Sequence, residues 1–176
     1  MQMSINNNKI RRTAYHEAGH TVMTHLCDKS FKYVTLNPEP KENSLGHIRF
    51  ARVRSEMENY NRSITTVIKN TMIHLAGHIA EEILLGKKLK VTGAYYDFQN
   101  IADEILGVVS CEQEQKQFLA WLRTRTLSTL SSPVNWEMVE NLAEELLRYK
   151  RLTRSEVLDL WFPETKELRR KTSVPK

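Results

Sequence analysis

The sequence predicts a mainly helical α+β domain with one small β-hairpin. Three observations lead there. Apolar residues recur at spacings of three and four along the segments 14–26, 64–84 and 139–147, the period of helices with one buried face. Two short β-prone runs, 31–36 and 45–51, are separated by Pro38, Glu39, Pro40, Lys41, Glu42 and Asn43, which is turn chemistry. A chain of 176 residues, 40% of them hydrophobic and 27% charged, suffices for one domain with a real core and is too short for several.

Taken in order, residues 1–8 are polar and are expected to be disordered, and 9–162 form the domain. A first helix is expected from Arg11 to Cys27, with Ala14, Ala18, Val22 and Leu26 as a narrow stripe. The hairpin of runs 31–36 and 45–51 follows, leaving one sheet edge over. Ser55 or Ser63 can cap a long core helix that ends at Gly86. A loop over 87–96 leads into a helix over about 97–109, and further helices follow. Ser132 and Pro133 read as an N-cap and first-turn pair ahead of the stripe Val139, Leu142, Ala143, Leu146 and Leu147. Thr153 to Glu156 spells a capping box. The basic tail 163–176 has no periodicity and is expected to fray.

Composition narrows the function classes. The net charge of +5 comes from scattered basic residues without aromatic interleaving, so a nucleic-acid partner is not expected. Even the apolar segment 64–85 carries Lys69, Glu81 and Glu82, so no membrane span is expected. The N-terminus has no apolar run for a secretory signal, and Cys27 and Cys111 have no metal or redox spacing, which predicts a cytoplasmic location.

The sharpest chemical signal is His16, Glu17, Ala18, Gly19, His20, an HExxH pattern inside the first helix. Four residues at about 100° each bring the two imidazoles within about 40° of one another, one turn apart, so both can bind one zinc ion. Glu17 sits one residue round the helix, where it can serve a metal-activated water as general base. HExxH arises by chance in about one such chain of fifty, whereas the bare HxxxH of His74 and His78 arises in roughly one of five. The second pair therefore reads as core or rim residues.

Zinc needs a third protein ligand. A metzincin would have Gly at position 23 and His at position 26, where this chain has Met23 and Leu26. His25 is turned about 180° from His16. The candidates left are Glu81 or Glu82 on the core helix and Asp97 after the 87–96 loop, and chemistry alone does not separate them.

The segment RRTAYHEAGHTV resembles the opening of the peptidase domain of FtsH-type AAA zinc proteases, a zincin-like helical fold. Later segments follow that family's order: FKYVTLNPEP and LGHIRF resemble its hairpin, LAGHIAEEILLG its core helix, VTGAYYDFQNIAD its third-ligand loop, and LAEELLRYKRLTRSEVLDL its closing helices. The resemblance covers residues 9–161, with HEAGH and TGA..D as its specific parts. It implies that His16, His20 and Asp97 bind zinc, that Glu17 is the catalytic base, and that Glu81 and Glu82 are structural. Tyr95 and Tyr96 depart from the small polar pair usual before the aspartate, implying a narrower or more apolar site, and the stretch from Asp97 to Trp121 is short for the family.

The family's membrane anchor and ATPase module precede its peptidase domain. Here fifteen residues precede His16, and no G-x-x-x-x-G-K-[ST] occurs. The expectation is a free-standing, ATP-independent zinc peptidase acting on unstructured polypeptides. A separate ATPase or adaptor and a homo-oligomer are its candidate partners. The competing reading is a peptidase-like domain that serves as a non-catalytic binding or regulatory module, against which the intact Glu17 argues.

Overall fold

The computed structural model describes residues 2–37, 47–50, 63–89, 101, 105, 108, 109 and 111–164. Among them are five helices, α1 (Gln2–Leu26), α2 (Ile64–Leu85), α3 (Glu112–Leu130), α4 (Pro133–Tyr149) and α5 (Arg154–Trp161), and three strands, β1 (Phe31–Thr35), β2 (His47–Phe50) and β3 (Arg151–Thr153). The class is the expected one, mainly helical with a small antiparallel sheet.

Helix α1 is the spine. It packs against α2 on one side and α4 on another, while α3 covers α2. Its Ala14, Ala18, Val22 and Met23 are fully buried, and these small and slender residues allow a close crossing. The crossing is tightest at Gly19, where a Cβ would stand 2.6 Å from the Ala76 carbonyl oxygen and 2.7 Å from the Ala80 Cβ. The helix begins at Gln2, well before the expected start at Arg11. No Gly or Pro lies in residues 2–10 to stop it, and the side chains of residues 7–12 stand exposed.

Helix α2 is bounded as its sequence predicts. The Ser63 hydroxyl accepts from the Thr66 N–H at 3.3 Å, and Gly86 closes the helix at φ 62°. Ser55 lies outside the described residues. Within the expected helix 97–109, residues 101 and 105 are helical, and Ile101, Ile105 and Val109 are buried in the core. The remainder of that segment, the loop 90–100 and the tail from 165 lie outside the described residues.

The sheet has the order β2-β1-β3. Strands β1 and β2 form the expected antiparallel hairpin, with Val34 opposite Ile48 and Thr35 opposite His47. The third strand was not expected: β3 pairs antiparallel with β1, Val34 facing Leu152, and closes the edge opposite β2. It is reached through Lys150, which ends α4 at φ 62° and turns the chain back. The Arg151 guanidinium then lies 3.8 Å from the centre of the Tyr33 ring.

The C-terminal helices follow their local signals. Ser132 caps α4 with Pro133 in its first turn, and Val139, Leu142, Ala143 and Leu146 are fully buried. Thr153 and Glu156 form the capping box of α5. Trp161, at the end of α5, donates its indole N–H to the Met138 carbonyl at 3.1 Å. No helix among the described residues is long and apolar enough to cross a membrane.

Candidate metal centre

Helical spacing puts His16 and His20 on one face of α1, where it meets α2. Their rings stand nearly perpendicular, 80° between planes and 4.6 Å between centroids, and the two Nε2 atoms approach to 2.9 Å. What each ring does with its other nitrogen fixes the chemistry of this approach.

His20 Nδ1 lies 2.7 Å from the Ile73 carbonyl oxygen. A carbonyl only accepts, so Nδ1 carries the proton and Nε2 of the neutral ring carries the lone pair. His16 Nδ1 lies 2.8 Å from Glu81 Oε1. Burial raises the Glu81 carboxyl, but the hydrogen bond and charge of His16 and those of Arg12 outweigh it and hold the group below its ordinary value. The carboxylate is therefore ionised near neutrality and accepts, so His16 also presents a lone pair at Nε2.

Two lone pairs aimed at each other repel unless a cation or a shared proton lies between them. A tetrahedral zinc ion bound at about 2.0–2.1 Å needs its nitrogens about 3.3 Å apart, so the observed 2.9 Å separation asks for a change of less than about half an ångström. Carbonyl or carboxylate behind each ring is the outer support usual for zinc histidines.

Space beside the pair is supplied by Gly77 of α2. A Cβ there would come within 2.4 Å of His20 Nε2 and 2.7 Å of His16 Nε2. The cradle that a side chain would fill lies against the two nitrogens that a metal needs. Gly77 escaped the sequence reading, although a glycine inside an apolar helical run costs about 0.5–1 kcal/mol and so signals a tertiary reason. Arg12 also escaped it: its Nε and Nη2 donate to Glu81 Oε2 at 2.9 and 2.6 Å.

The remaining candidates fall into place as follows. Glu17 is buried, at 5% exposure, in the turn between the two histidines. Glu81 has its two oxygens on His16 Nδ1 and Arg12, on the side of the His16 ring away from Nε2. Glu82 pairs with Arg123, accepts from the Leu89 N–H at 3.0 Å and lies 3.5 Å from His78 Nε2. The buried His78 thus belongs to an ion-pair network that ties α3 to α2. His25 packs on Trp161 and Phe162, at 5.3 and 5.5 Å between ring centres, on another face of α1. Asp97, Tyr95 and Tyr96 lie outside the described residues, and among the described residues no three His, Cys, Asp or Glu side chains form a metal-holding group.

Comparison with known proteins agrees with this picture. Residues 3–111 match the model of peptidase family M41. The ATP-dependent zinc metalloprotease YME1L1 of Mus musculus is 25% identical over 181 residues, covering 88% of this chain and 25% of that protein. The ATP-dependent zinc metalloprotease FtsH 1 of Alkaliphilus metalliredigens is 36% identical over 97 residues, covering 55% of this chain and 16% of that protein. FtsH of Rickettsia typhi is 27% identical over 100 residues, with coverage of 57% and 15%. The chain spans about a quarter or less of the length of these relatives.

Proposed function

Since the chain belongs to peptidase family M41, we propose that it is a zinc metallopeptidase that hydrolyses peptide bonds of unstructured polypeptides. The observation that carries this reading is the approach of His16 Nε2 to His20 Nε2 at 2.9 Å with both Nδ1 atoms engaged behind them.

In this proposal His16, His20 and Asp97 hold the zinc ion. Bound there, zinc lowers the pKa of water toward about 7 and polarises the scissile carbonyl. Glu17, set about 100° round α1 from His16, takes the proton of the attacking water on its carboxylate and returns it to the leaving amine. Its burial limits competition from bulk water for that proton. Strand β2 has β1 as its sole strand neighbour among the described residues, and its other edge can hold an extended peptide by strand addition.

No G-x-x-x-x-G-K-[ST] occurs in the 176 residues, so hydrolysis by this chain is proposed to be independent of ATP, with a separate ATPase or adaptor delivering folded substrates. A reducing, cytoplasmic setting suits Cys27, which is buried, and Cys111, which is exposed, neither in a disulfide.

Elemental analysis tests the ligand set. The proposal expects about one zinc per chain, a lower occupancy in Asp97→Ala and an unchanged one in Glu82→Ala. The reverse pattern would make the third ligand a helix glutamate. Casein should be cleaved at the same rate with and without ATP; cleavage of a compact protein only when ATP is added to the purified chain would refute the independence.

A further inference from the structure

The two histidines are supported unequally. His20 leans on the main-chain carbonyl of Ile73, an acceptor that the α2 backbone holds in place. His16 leans on a side chain, the Glu81 carboxylate, whose rotatable bonds allow it to turn either oxygen toward the ring or to swing away. An acceptor of that kind needs a holder of its own.

Arg12 is built to be one. It stands one helical turn before His16, so both side chains rise from the same face of α1 toward the same residue of α2. Its Nε and Nη2 both reach Glu81 Oε2, at 2.9 and 2.6 Å, while Oε1 stays 2.8 Å from His16 Nδ1. Each carboxylate oxygen thereby has one task, and the two-nitrogen contact fixes the carboxylate's direction in a way that a single ammonium contact does not. The Arg12 side chain is 47% exposed and that of Glu81 is 14% exposed, so the pair adds little to stability as an ion pair. Its geometric effect falls on His16.

We propose that Arg12 is a positioning residue of the metal centre, acting on His16 through Glu81 to hold the ring in its Nδ1–H form with Nε2 directed at the metal. The inference rests on reading His16 as a zinc ligand. It makes a prediction opposite in sign to simple electrostatics. A guanidinium near a dication repels it, so charge alone predicts that removing Arg12 tightens zinc binding. The clamp predicts that removal weakens it.

The test is a double-mutant cycle on the full chain, with zinc affinity read by competition against a chromophoric chelator. Glu81→Ala should lose about 10–100-fold in affinity, and Arg12→Ala a smaller but clear loss of at least about threefold. Combining the two should cost no more than Glu81→Ala alone. Arg12→Lys, which keeps the charge and loses the two-nitrogen contact, should resemble Arg12→Ala. Glu81→Gln takes the place of Glu81→Ala if the latter does not fold.

A second readout needs no metal. The 15N ring spectrum of the metal-free protein should show His16 protonated at Nδ1, and Arg12→Ala should shift it toward the Nε2–H form. Zinc binding in Arg12→Ala as tight as in the parent, or additive losses in the cycle, would overturn the clamp. A parent that takes up no zinc would instead refute the metal reading of the site, and the ring spectrum would then decide the clamp alone: an unchanged tautomer in Arg12→Ala overturns it.

Discussion

Gly77→Ala probes the site through packing rather than through its ligands. Ordinary contact with a Cβ begins at 3.4 Å, and the new atom would lie 2.4 Å from His20 Nε2 and 2.7 Å from His16 Nε2. One ring must therefore retreat by about 1 Å and the other by about 0.7 Å, or α1 must move off α2. Neither ring is loose, because each is tied at Nδ1 to Ile73 or Glu81. Overpacking of this kind costs about 1–3 kcal/mol. Replacing a mid-helix glycine with alanine returns about 1 kcal/mol of helix propensity. The net loss without metal is about 0–2 kcal/mol, a fall in Tm of a few degrees for a domain of this size.

Zinc binding should suffer more, by at least about tenfold, because the rings can yield only by giving up the geometry that the metal needs. A tenfold loss of affinity removes about 1.4 kcal/mol of the stabilisation that bound zinc confers. The assay is thermal unfolding with and without zinc, beside elemental analysis. Gly86→Ala is the control: φ is 62° there and nothing lies within 4 Å, so it carries only backbone strain of about 1–2 kcal/mol and keeps its zinc. Full zinc and a Tm at or above the parent's in Gly77→Ala would refute the packing argument.

Three further outcomes can be measured. Gly19→Ala should lower Tm more than Gly77→Ala does without metal, because its Cβ would meet the Ala76 backbone oxygen and the Ala80 Cβ, neither of which can rotate away; equal or smaller loss would count against a rigid α1–α2 crossing. Hydrogen bonds from the Thr153 backbone N–H and then its hydroxyl hold the Glu156 carboxyl below its ordinary 4.5, so the capping box contributes stability above that value and loses it as pH falls through the lower folded one. Glu156→Ala should flatten this part of the acid limb of Tm against pH, and an identical limb would refute the assignment. Burial, aided by Arg154 and opposed by Asp28, lowers His25 below its ordinary 6.5, so the fold resists its protonation and stability falls as pH drops from 6.5 toward the folded value. His25→Gln should remove that slope, and a parent without it would contradict the buried placement.

What the sequence revealed was what local chemistry encodes. The Ser63 and Gly86 ends of α2, the Ser132–Pro133 start of α4 and the Thr153–Glu156 box each lie within one helical turn, and each appears where it was expected. His16 and His20 were legible because their meeting depends only on helical spacing. Strand β3 was not, since three residues between two helices leave no period to detect and its partner β1 lies more than a hundred residues earlier. The roles of Gly77 and Arg12 were hidden for the same reason: the Arg12–Glu81 contact joins residues 69 apart, and only the crossing of α1 and α2 brings them together. The N-terminal turns of α1 show the converse error, in which polarity was read as disorder although nothing in residues 2–10 interrupts a helix.

The central claim, that this site hydrolyses peptide bonds with Glu17 as its base, is tested most directly by Glu17→Gln. The substitution keeps the size and a polar head in the buried position but removes the proton acceptor. The account predicts that zinc content and thermal stability persist while peptide hydrolysis falls by at least about a hundredfold. Glu17→Gln with full zinc cleaving as fast as an active parent would contradict it, and so would a zinc-loaded parent that cleaves nothing across a diverse peptide library.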